Sequence, residues 1–263
     1  MTLRLTSVLT LAIAVLAAPA PAAAVQNPAV ASSEQTMLPA PFGVGERLEY
    51  DVKFGSIKAG NGLMEVRGIE TIRGRPAYHT FFQVKGGIPL FRVNDVFQSW
   101  IDTTTLSSLR FVQDQDEGPK ERERRYEIFP DQQLFRELVK GEGEDQPSVA
   151  NPLDDGSFLY FIRTIPLEVG RTYTFNRYFK PDRNPVTIKV VRRERVRVPA
   201  GTFDAIVIQP QIKAKGIFSE DGHAEVWLSD DDNRIMLQMK SRLKIGSLNL
   251  YLTRYVPAEG KAR

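Results

Sequence analysis

The sequence predicts an all-β, mainly antiparallel fold: a large β-roll, a sandwich or a partly closed barrel with one short helix. Three observations lead to this prediction. Apolar and polar residues alternate with a period of two over most of the chain after Glu46, turn-forming residues recur at short intervals, and a single segment has a helical pattern. About a dozen strands at such close spacing favour antiparallel hairpins over parallel crossover units.

The first residues of the 263-residue chain have the features of an export signal. Arg4 supplies the positive start, residues 8–18 form a short apolar core, and Ala22-Ala23-Ala24 is the small-residue pattern that a signal peptidase recognises. We therefore expect a signal peptide at residues 1–24, with an uncleaved anchor as the alternative. The apolar core is short for a membrane span, and no later segment approaches the required length.

The domain organisation follows from composition. Residues 25–41 mix Ala, Pro, Ser, Gln and Asn without periodicity, which predicts a flexible linker. Residues 42–256 are expected to form a single β-rich domain, and residues 257–263 a C-terminal tail. The polar stretch at residues 141–151 could separate two lobes, but one continuous sheet system is the preferred interpretation.

The pattern in the first half of the domain predicts a series of β-hairpins. Residues 48–54 alternate strictly, as a half-buried strand requires. The glycine-rich stretch at residues 55–62 superficially resembles a phosphate loop, but its spacing fits no such template, so a wide hairpin or bulge is favoured. Gly74 and Pro130-Asp131 are predicted turns. Further strands are predicted at residues 63–69, 78–84, 93–101, 109–114, 120–129 and 134–139.

The helix is predicted after Asp154-Asp155-Gly156-Ser157, whose side chains can cap the first turn, and Pro166 should end it. It is apolar on most sides, which predicts that it plugs or covers a sheet. The strand pattern then returns, with Tyr173, Phe175 and Phe179 on one face of a strand. The remaining strands are predicted at residues 186–198, 203–212, 224–228, 235–243 and 248–256, and the turns between them at residues 199–202, 220–222, 230–233 and 246–247.

Composition excludes several kinds of chemistry. The chain has no cysteine, so it can form neither disulfides nor thiolate sites, and it has two histidines, His79 and His223. A metal site needs three or four converging ligands, and no HExxH, Gly-x-Ser-x-Gly or phosphate-loop motif is present. A formal charge of +3 gives no indication of nucleic-acid binding. We therefore expect no cofactor, no metal, no catalytic residues and no nucleic-acid partner.

Two groups of charged residues are candidate sites. Asp114, Asp116 and Glu117, and the run Asp230 to Asp232, could pair for acid–base work or hold calcium, but both are expected in turns, where Asp is common for backbone reasons. One face of the strand at residues 186–198 carries cations that could meet an anionic lipid or glycan; a solvated face with cross-strand charge pairs is the favoured alternative. These cations are Lys189, Arg193, Arg195 and Arg197.

The chain has 15 Phe, 8 Tyr and 2 Trp, most of which should fill a core. A roll that they do not fill completely could instead hold an acyl chain. The sequence does not decide between a filled and a hollow interior.

Three stretches together resemble the exported bacterial family called domain of unknown function 3108. They are residues 50–63, with Gly-x-x-x-Ala-Gly at Gly55, Ala59 and Gly60; residues 198–210, which begin Val-Pro-Ala-Gly-Thr-Phe-Asp; and residues 225–247, with Glu-Val-Trp-Leu-Ser-Asp-Asp, Arg234-Ile235 and Gly246-Ser247. The resemblance spans residues 42–256. It implies a mainly β protein of the periplasm or envelope of Gram-negative-type bacteria, and it carries no reaction and no catalytic residues.

These expectations lead to one main hypothesis with alternatives. The main one is a non-enzymatic periplasmic β-rich protein that binds an envelope lipid, glycan or protein partner. The alternatives are a carrier for an apolar ligand such as a lipid, a scaffold with an exposed strand edge, and an envelope-polymer hydrolase with Asp114, Asp116 or His79 as acid–base groups. The ligand-binding residues stay unknown at this level.

Overall fold

The alternating segments form β-strands in the structure, a computed structural model that describes residues 39–88, 91–117, 120–213, 224–242 and 247–260. The expected signal peptide, most of the expected linker, the expected turn at residues 220–222 and His223 lie outside the described residues, as does part of the expected tail.

The first eight strands follow one another from the middle of the sheet to one edge. Each pairs antiparallel with the next, as expected of hairpins. They are β1 (Arg47–Phe54), β2 (Ile57–Ile72), β3 (Arg75–Ile88), β4 (Phe91–Asp102), β5 (Ser108–Glu117), β6 (Lys120–Phe129), β7 (Leu134–Leu138) and β8 (Gln146–Pro147).

The remaining strands return from the opposite edge to the middle. They are β9 (Thr172–Phe175), β10 (Val186–Val198), β11 (Gly201–Gln211), β12 (Glu225–Ser229), β13 (Met236–Arg242) and β14 (Ser247–Val256). β14 pairs with β1, so two meanders join in one antiparallel sheet. The order of the described strands runs from β8 at one edge through β1 and β14 to β9 at the other, and the predicted fold class is confirmed.

One helix, α1 (Asp155–Phe161), interrupts the strands where the sequence predicts it. The Asp154 carboxylate accepts hydrogen bonds from the backbone N–H groups of Gly156 and Ser157, both at 2.8 Å. The Ser157 hydroxyl in turn accepts the Asp154 backbone N–H at 2.8 Å, which completes a capping box. A 3-10 turn (Ile162–Thr164) follows, and helical structure ends before Pro166 as expected. None of the described helices combines the length and apolar character that crossing a bilayer requires.

α1 packs on one face of the sheet, which we call the inner face. The Ser99 hydroxyl on β4 donates to Asp154 Oδ1 at 2.6 Å, and the Tyr160 hydroxyl donates to the carbonyl oxygen of Glu65 on β2 at 3.0 Å. Every residue from Gly156 to Phe161 is buried. A single large core cluster contains side chains of the helix and of both meanders, so the helix fills the inside of the curved sheet as the sequence predicts.

The segment between β8 and β9 lies against the edge at β7 and β8. The Ser148 backbone N–H donates to the carbonyl oxygen of Gln133 at 2.6 Å, and the Ser148 hydroxyl donates to that of Phe179 at 2.8 Å. The backbone N–H of Leu153 donates to the carbonyl oxygen of Arg177, and the backbone N–H of Phe179 donates to the carbonyl oxygen of Leu153. The segment after β8 is therefore hydrogen-bonded mainly to the segment between β9 and β10, and it satisfies one backbone carbonyl group next to β7.

A buried ion pair connects three distant parts of the chain. Arg163, after α1, donates to both carboxylate oxygens of Glu46, at 2.7 and 2.9 Å, and also to the carbonyl oxygen of Asn233 at 2.8 Å. Both charged side chains are at most 1% exposed. The two-pronged geometry is the one in which a buried pair offsets most of its desolvation cost.

Two local expectations need correction. The glycine-rich stretch is not a long loop: the turn is limited to Gly55 and Ser56, and β2 has begun by Ile57. The expected bulge is present, as a register shift between Val52 and Lys53. The strand with Tyr173 and Phe175 ends at Phe175, so Phe179 is not on it and reaches the core from the following segment instead.

Candidate functional site

Four rings on neighbouring strands form a continuous stack on the inner face, which we call the aromatic ladder: Phe82, Phe97, Phe111 and Tyr126. Successive ring centroids are 6.1, 6.3 and 5.8 Å apart. Aromatic rings at such distances attract each other, and this attraction adds to the stabilisation that comes from burying their surface. Three of the rings are buried, but Phe97 is partly exposed, so its ring is the part of the ladder that solvent or a ligand can contact.

Beyond the ladder the same face becomes polar. Side chains two residues apart on a strand share a face, so Gln113 follows Phe111, and Arg124 precedes Tyr126, on the inner face. The register confirms this, because Phe97 pairs with Gln113 and Gln113 with Arg124. We call this part of the inner face the polar mouth; its members, all at least partly exposed, are Asp95, Gln113, Gln115, Arg122 and Arg124.

Lys180 enters this region from the segment after β9. Its ammonium nitrogen lies 4.6 Å from the ring centroid of Tyr126 and 5.3 Å from that of Phe179, and it donates to the Tyr126 hydroxyl at 3.2 Å. Burial lowers the pKa of Lys180, and the nearby Arg183 and Arg124 lower it further, against the opposing effect of Glu137. Burial also raises the pKa of Tyr126 to about 12. The site therefore holds a partly buried lysine whose carboxylate neighbours, Glu137 and Asp155, offset the burial of its charge only in part.

Glu137 is the carboxylate nearest to these cations. Its Oε1 lies 3.8 Å from Arg124 Nε, and its Oε2 lies 3.8 Å from Lys180 Nζ. Both distances exceed those of charge-assisted hydrogen bonds, which are about 2.7–2.9 Å. The carboxylate thus lies between two cations without being bound closely to either, and it is about one-third exposed.

A second polar cluster surrounds the start of α1, but its role is structural. The Asp154 carboxylate is fully buried, and the Ser108 hydroxyl donates to the Ser157 hydroxyl at 2.8 Å beside it. Burial raises the pKa of Asp154 to about 6, against the hydrogen bonds from Ser99 and Ser157. These contacts satisfy the helix terminus and attach it to β4 and β5, and no substrate could reach them from solvent.

His79 lies away from this site, on the outer face. Its ring stacks on Trp100 with centroids 4.4 Å apart, its Nδ1 lies 2.8 Å from Glu70 Oε1, and its Nε2 lies 3.0 Å from Gln98 Oε1. Both ring nitrogens therefore have partners within the sheet surface. His223 lies outside the described residues.

The expectation that Asp114 and Asp116 lie in a turn is wrong, because both belong to β5. Asp114 is directly opposite Glu123 in the register. Burial raises the pKa of Asp114 and the charge of Glu123 also raises it, whereas Arg125 lowers it. From His79 it is two strands across and four residues along, a separation of about 16 Å at sheet spacings. The structure therefore does not bring the two together as an acid–base pair.

The run Asp230 to Asp232 forms a turn, as the sequence predicts. Asp231 Oδ1 accepts the backbone N–H groups of Asn233 and Arg234, both at 3.0 Å, which is the local bonding that makes Asp favourable in turns. Among the described residues, no three His, Asp or Glu side chains converge in a way that could hold a metal ion.

The proposed basic strip on β10 is a charge-paired surface over part of its length. Lys189, Arg193, Arg195 and Arg197 are all exposed on this strand, as expected. Arg193 lies 2.7 Å from Asp230, and Arg195 lies 3.6 Å from the cross-strand residue Asp204. The structure favours the interpretation as a solvated face with charge pairs.

Sequence reasoning missed Lys180 as a site residue and did not assign Arg124 to the inside of the sheet. The alternation at residues 121–127 separates Arg124 and Tyr126 from their neighbours, but period two does not tell which face points inward. Lys180 lies in an irregular segment, where no periodicity gives a direction.

Comparison with known proteins gives a family and a fold. Residues 49–253 match the model of the family described as "Protein of unknown function (DUF3108)". The comparison with curated proteins finds no significant match. A crystal structure from Brucella abortus, described as a "Beta-barrel-like Protein of Domain of Unknown Function DUF1849", aligns with a TM-score of 0.52 at 11% identity, over 83% of this chain and 99% of that one. At this identity the likeness shows the fold alone.

Two weaker likenesses add no argument. The hypothetical protein CT021 of Chlamydia trachomatis aligns with a TM-score of 0.35 and 7% identity, over 84% of this chain and 90% of that one. A protein of Parabacteroides distasonis that is called a "putative lipoprotein" aligns with a TM-score of 0.32 and 12% identity, over 83% of this chain and 99% of that one.

Proposed function

The chain belongs to the DUF3108 family of proteins of unknown function, and from this premise we propose that it is a non-enzymatic periplasmic protein that binds an amphiphilic component of the cell envelope on the inner face of its sheet. The observation that carries the proposal is the partial exposure of Phe97 within the aromatic ladder, next to a polar mouth. An apolar surface bordered by convergent polar groups is the common form of a small-molecule site.

The expected export of the chain supports an envelope ligand. Arg4, the apolar residues 8–18 and Ala24 are the features of the signal peptide that we expect, and such a signal would place the mature chain beyond the inner membrane. Lipids and lipid-linked glycans are the abundant amphiphiles of that compartment. A protein that shields an apolar surface inside a curved sheet suits such a ligand better than a fully polar one.

The hydrolase hypothesis loses support from the same geometry. Its acid–base candidates, His79, Asp114 and Asp116, lie on the outer face. His79 and Asp114 are about 16 Å apart, Asp116 is farther along the same strand, and His79 has partners on both ring nitrogens. General acid–base catalysis requires groups within hydrogen-bond reach of one reacting centre. Binding without chemistry is therefore the function that we propose.

The test begins with the full chain expressed in its own host with a C-terminal tag. The periplasmic fraction is collected, and the purified protein is examined by native mass spectrometry before and after organic extraction. We expect a chain lacking residues 1–24 and an additional mass that extraction removes. A protein that stays in the cytosol, or a periplasmic protein without any bound mass, would contradict the proposal.

A variant pair locates the ligand. Phe97→Glu places a charge in the aromatic ladder and should abolish the additional mass. Ile69→Glu changes an apolar residue that is 55% exposed on β2 and should leave the ligand in place. Thermal unfolding of both variants identifies any loss that comes from misfolding; Phe97→Gln then serves as the milder replacement.

A further inference from the structure

The spacing of cations beside the aromatic ladder indicates the head group of the ligand. Arg124 Nε and Lys180 Nζ each lie 3.8 Å from a different oxygen of the Glu137 carboxylate. A carboxylate therefore fits between these two cations, one oxygen toward each. Neither contact is a close hydrogen bond, so a ligand that displaces Glu137 breaks no charge-assisted hydrogen bond to the two cations and disrupts only its interaction with the Tyr126 hydroxyl.

We propose that Arg124 and Lys180 bind the carboxylate of a single-chain fatty acid, whose acyl chain contacts the partly exposed ring of Phe97, and that Glu137 occupies the anion position when the ligand is absent. This inference rests on the proposed function and names its ligand class. It assigns a role to three charged side chains that lie beside Tyr126, the ladder ring on β6.

The charges around the site favour an incoming anion. Lys180 and Arg124 face Glu137 between them, and Arg183 adds a third positive charge close to Lys180, so these three cations outnumber the two carboxylates that act on Lys180, Glu137 and Asp155. Burial and these two arginines lower the pKa of Lys180, so its charged form is less favourable here than in water. A ligand carboxylate would restore the pKa of Lys180 toward its ordinary value, and this gain contributes to binding.

The apolar part of the ligand has a matching surface. Lys180 Nζ lies over the rings of Tyr126, Phe135 and Phe179, so the cationic and aromatic groups meet at one point. Phe97 is partly exposed on the same inner face as Arg124, two strands away from it in the register with Gln113 between them. An amphiphile with its head at Arg124 and Lys180 would thus place its first methylene groups on aromatic surface.

The test uses the delipidated mature protein and isothermal titration calorimetry at pH 7 and constant ionic strength. The probes are decanoate, the neutral 1-decanol and decyl phosphate, which share one chain length. We expect decanoate to bind about tenfold more tightly than 1-decanol, because charged hydrogen bonds distinguish the two. Decyl phosphate should bind no more tightly than decanoate.

Three variants separate the roles of the charges. Lys180→Met and Arg124→Gln should each reduce the preference for decanoate over decanol to below about threefold, while Glu137→Gln should raise decanoate affinity several-fold and leave decanol unchanged. The control is Arg125→Gln, which removes a cation from the outer face, where it pairs with Glu123 at 2.6 Å. It should leave both affinities unchanged.

The outcomes distinguish the two proposals. Equal affinity for decanoate and decanol, or tenfold preference for decyl phosphate, would overturn the carboxylate inference and leave amphiphile binding intact. No binding of any probe would count against both. A decrease of decanoate affinity in Glu137→Gln would show that Glu137 assists the ligand, which also overturns the inference. Arg124 is 42% exposed, so its variant is expected to fold even if Lys180→Met does not.

Discussion

Asp154 combines a favourable hydrogen-bonding role with an unfavourable charge. Its Oδ1 accepts bonds from Ser99, Gly156 and Ser157, whereas its Oδ2 is buried without a hydrogen-bond partner among the described residues. Burial raises its pKa from 3.8 to about 6. The folded protein therefore favours the protonated carboxyl group more strongly than the unfolded chain does.

This shift predicts a pH dependence of stability with a definite sign. The contribution of neutral Asp154 is fully present below about pH 4 and is lost as pH rises through 6, because the folded-state pKa is the higher one. The difference between a pKa of 3.8 in the unfolded chain and about 6 in the folded protein corresponds to a loss of roughly 3 kcal/mol of stability. Asp154→Asn stays neutral at every pH, so its unfolding free energy should lack this decline between pH 4 and 7.

Urea denaturation at several pH values measures the difference in slope between the wild type and Asp154→Asn. The readout is the slope because the asparagine amide changes stability by an amount that does not depend on pH. Asp182→Asn, at an exposed position in a 3-10 turn, should follow the wild type. Parallel pH profiles for the wild type and Asp154→Asn would refute the role of this carboxylate.

At the scale of elements, β2 and β3 approach each other too closely for side chains at one point. Gly60 and Gly86 are direct partners in the register. A Cβ at Gly60 would overlap the carbonyl oxygen of Lys85, and a Cβ at Gly86 would overlap that of Ala59. The Gly-x-x-x-Ala-Gly motif thus includes a position that the packing of two strands restricts to glycine.

Gly60→Ala should lower the free energy of unfolding by about 1–3 kcal/mol, because the strands must separate to admit the methyl group. Gly68→Ala is the matched control in the same strand, since a Cβ there would have no neighbour within 4 Å. Its effect should stay within about 0.5 kcal/mol. Chemical denaturation of both variants gives the comparison, and equal stabilities would show that the strands adjust without cost.

At the scale of the whole molecule, the Glu46–Arg163 pair holds together parts of the chain that are far apart in sequence. Glu46 precedes β1, Arg163 follows α1, and the same guanidinium reaches Asn233 between β12 and β13. The Tyr50 hydroxyl adds a bond to the carbonyl oxygen of Met236 at 2.9 Å. The helix is thereby attached to the strands where the two meanders meet.

Arg163→Met should destabilise the protein by about 3–5 kcal/mol, because it leaves the Glu46 carboxylate buried without its partner. The double variant Glu46→Gln with Arg163→Met removes both charges, so it should lose less than the sum of the two single variants. Arg171→Met, which breaks an exposed pair with Glu168, should change stability by less than about 1 kcal/mol. Additive losses in the double-mutant cycle would contradict a coupled pair.

Much of the fold followed from local pattern. The predicted bounds of β10 are the observed ones, Val186–Val198. The residues that cap α1, Asp154 and Ser157, could also be identified from the sequence. Alternation and capping depend on neighbours within a few residues, which a sequence displays directly. The turn at Asp230 to Asp232 was legible for the same reason.

The candidate site could not be predicted in this way, because it depends on which face of the sheet curves inward. Period two separates Arg124 and Tyr126 from Arg125 but treats both faces alike, and Lys180 approaches from a segment without periodicity. The sequence by itself determined the strands, the helix and the turns through short-range preferences. Only the tertiary structure decided the candidate site. The curvature of the sheet and the course of the segment between β9 and β10 bring Arg124, Glu137 and Lys180 together. Such contacts depend on how the whole chain packs, because they join residues that are far apart in sequence.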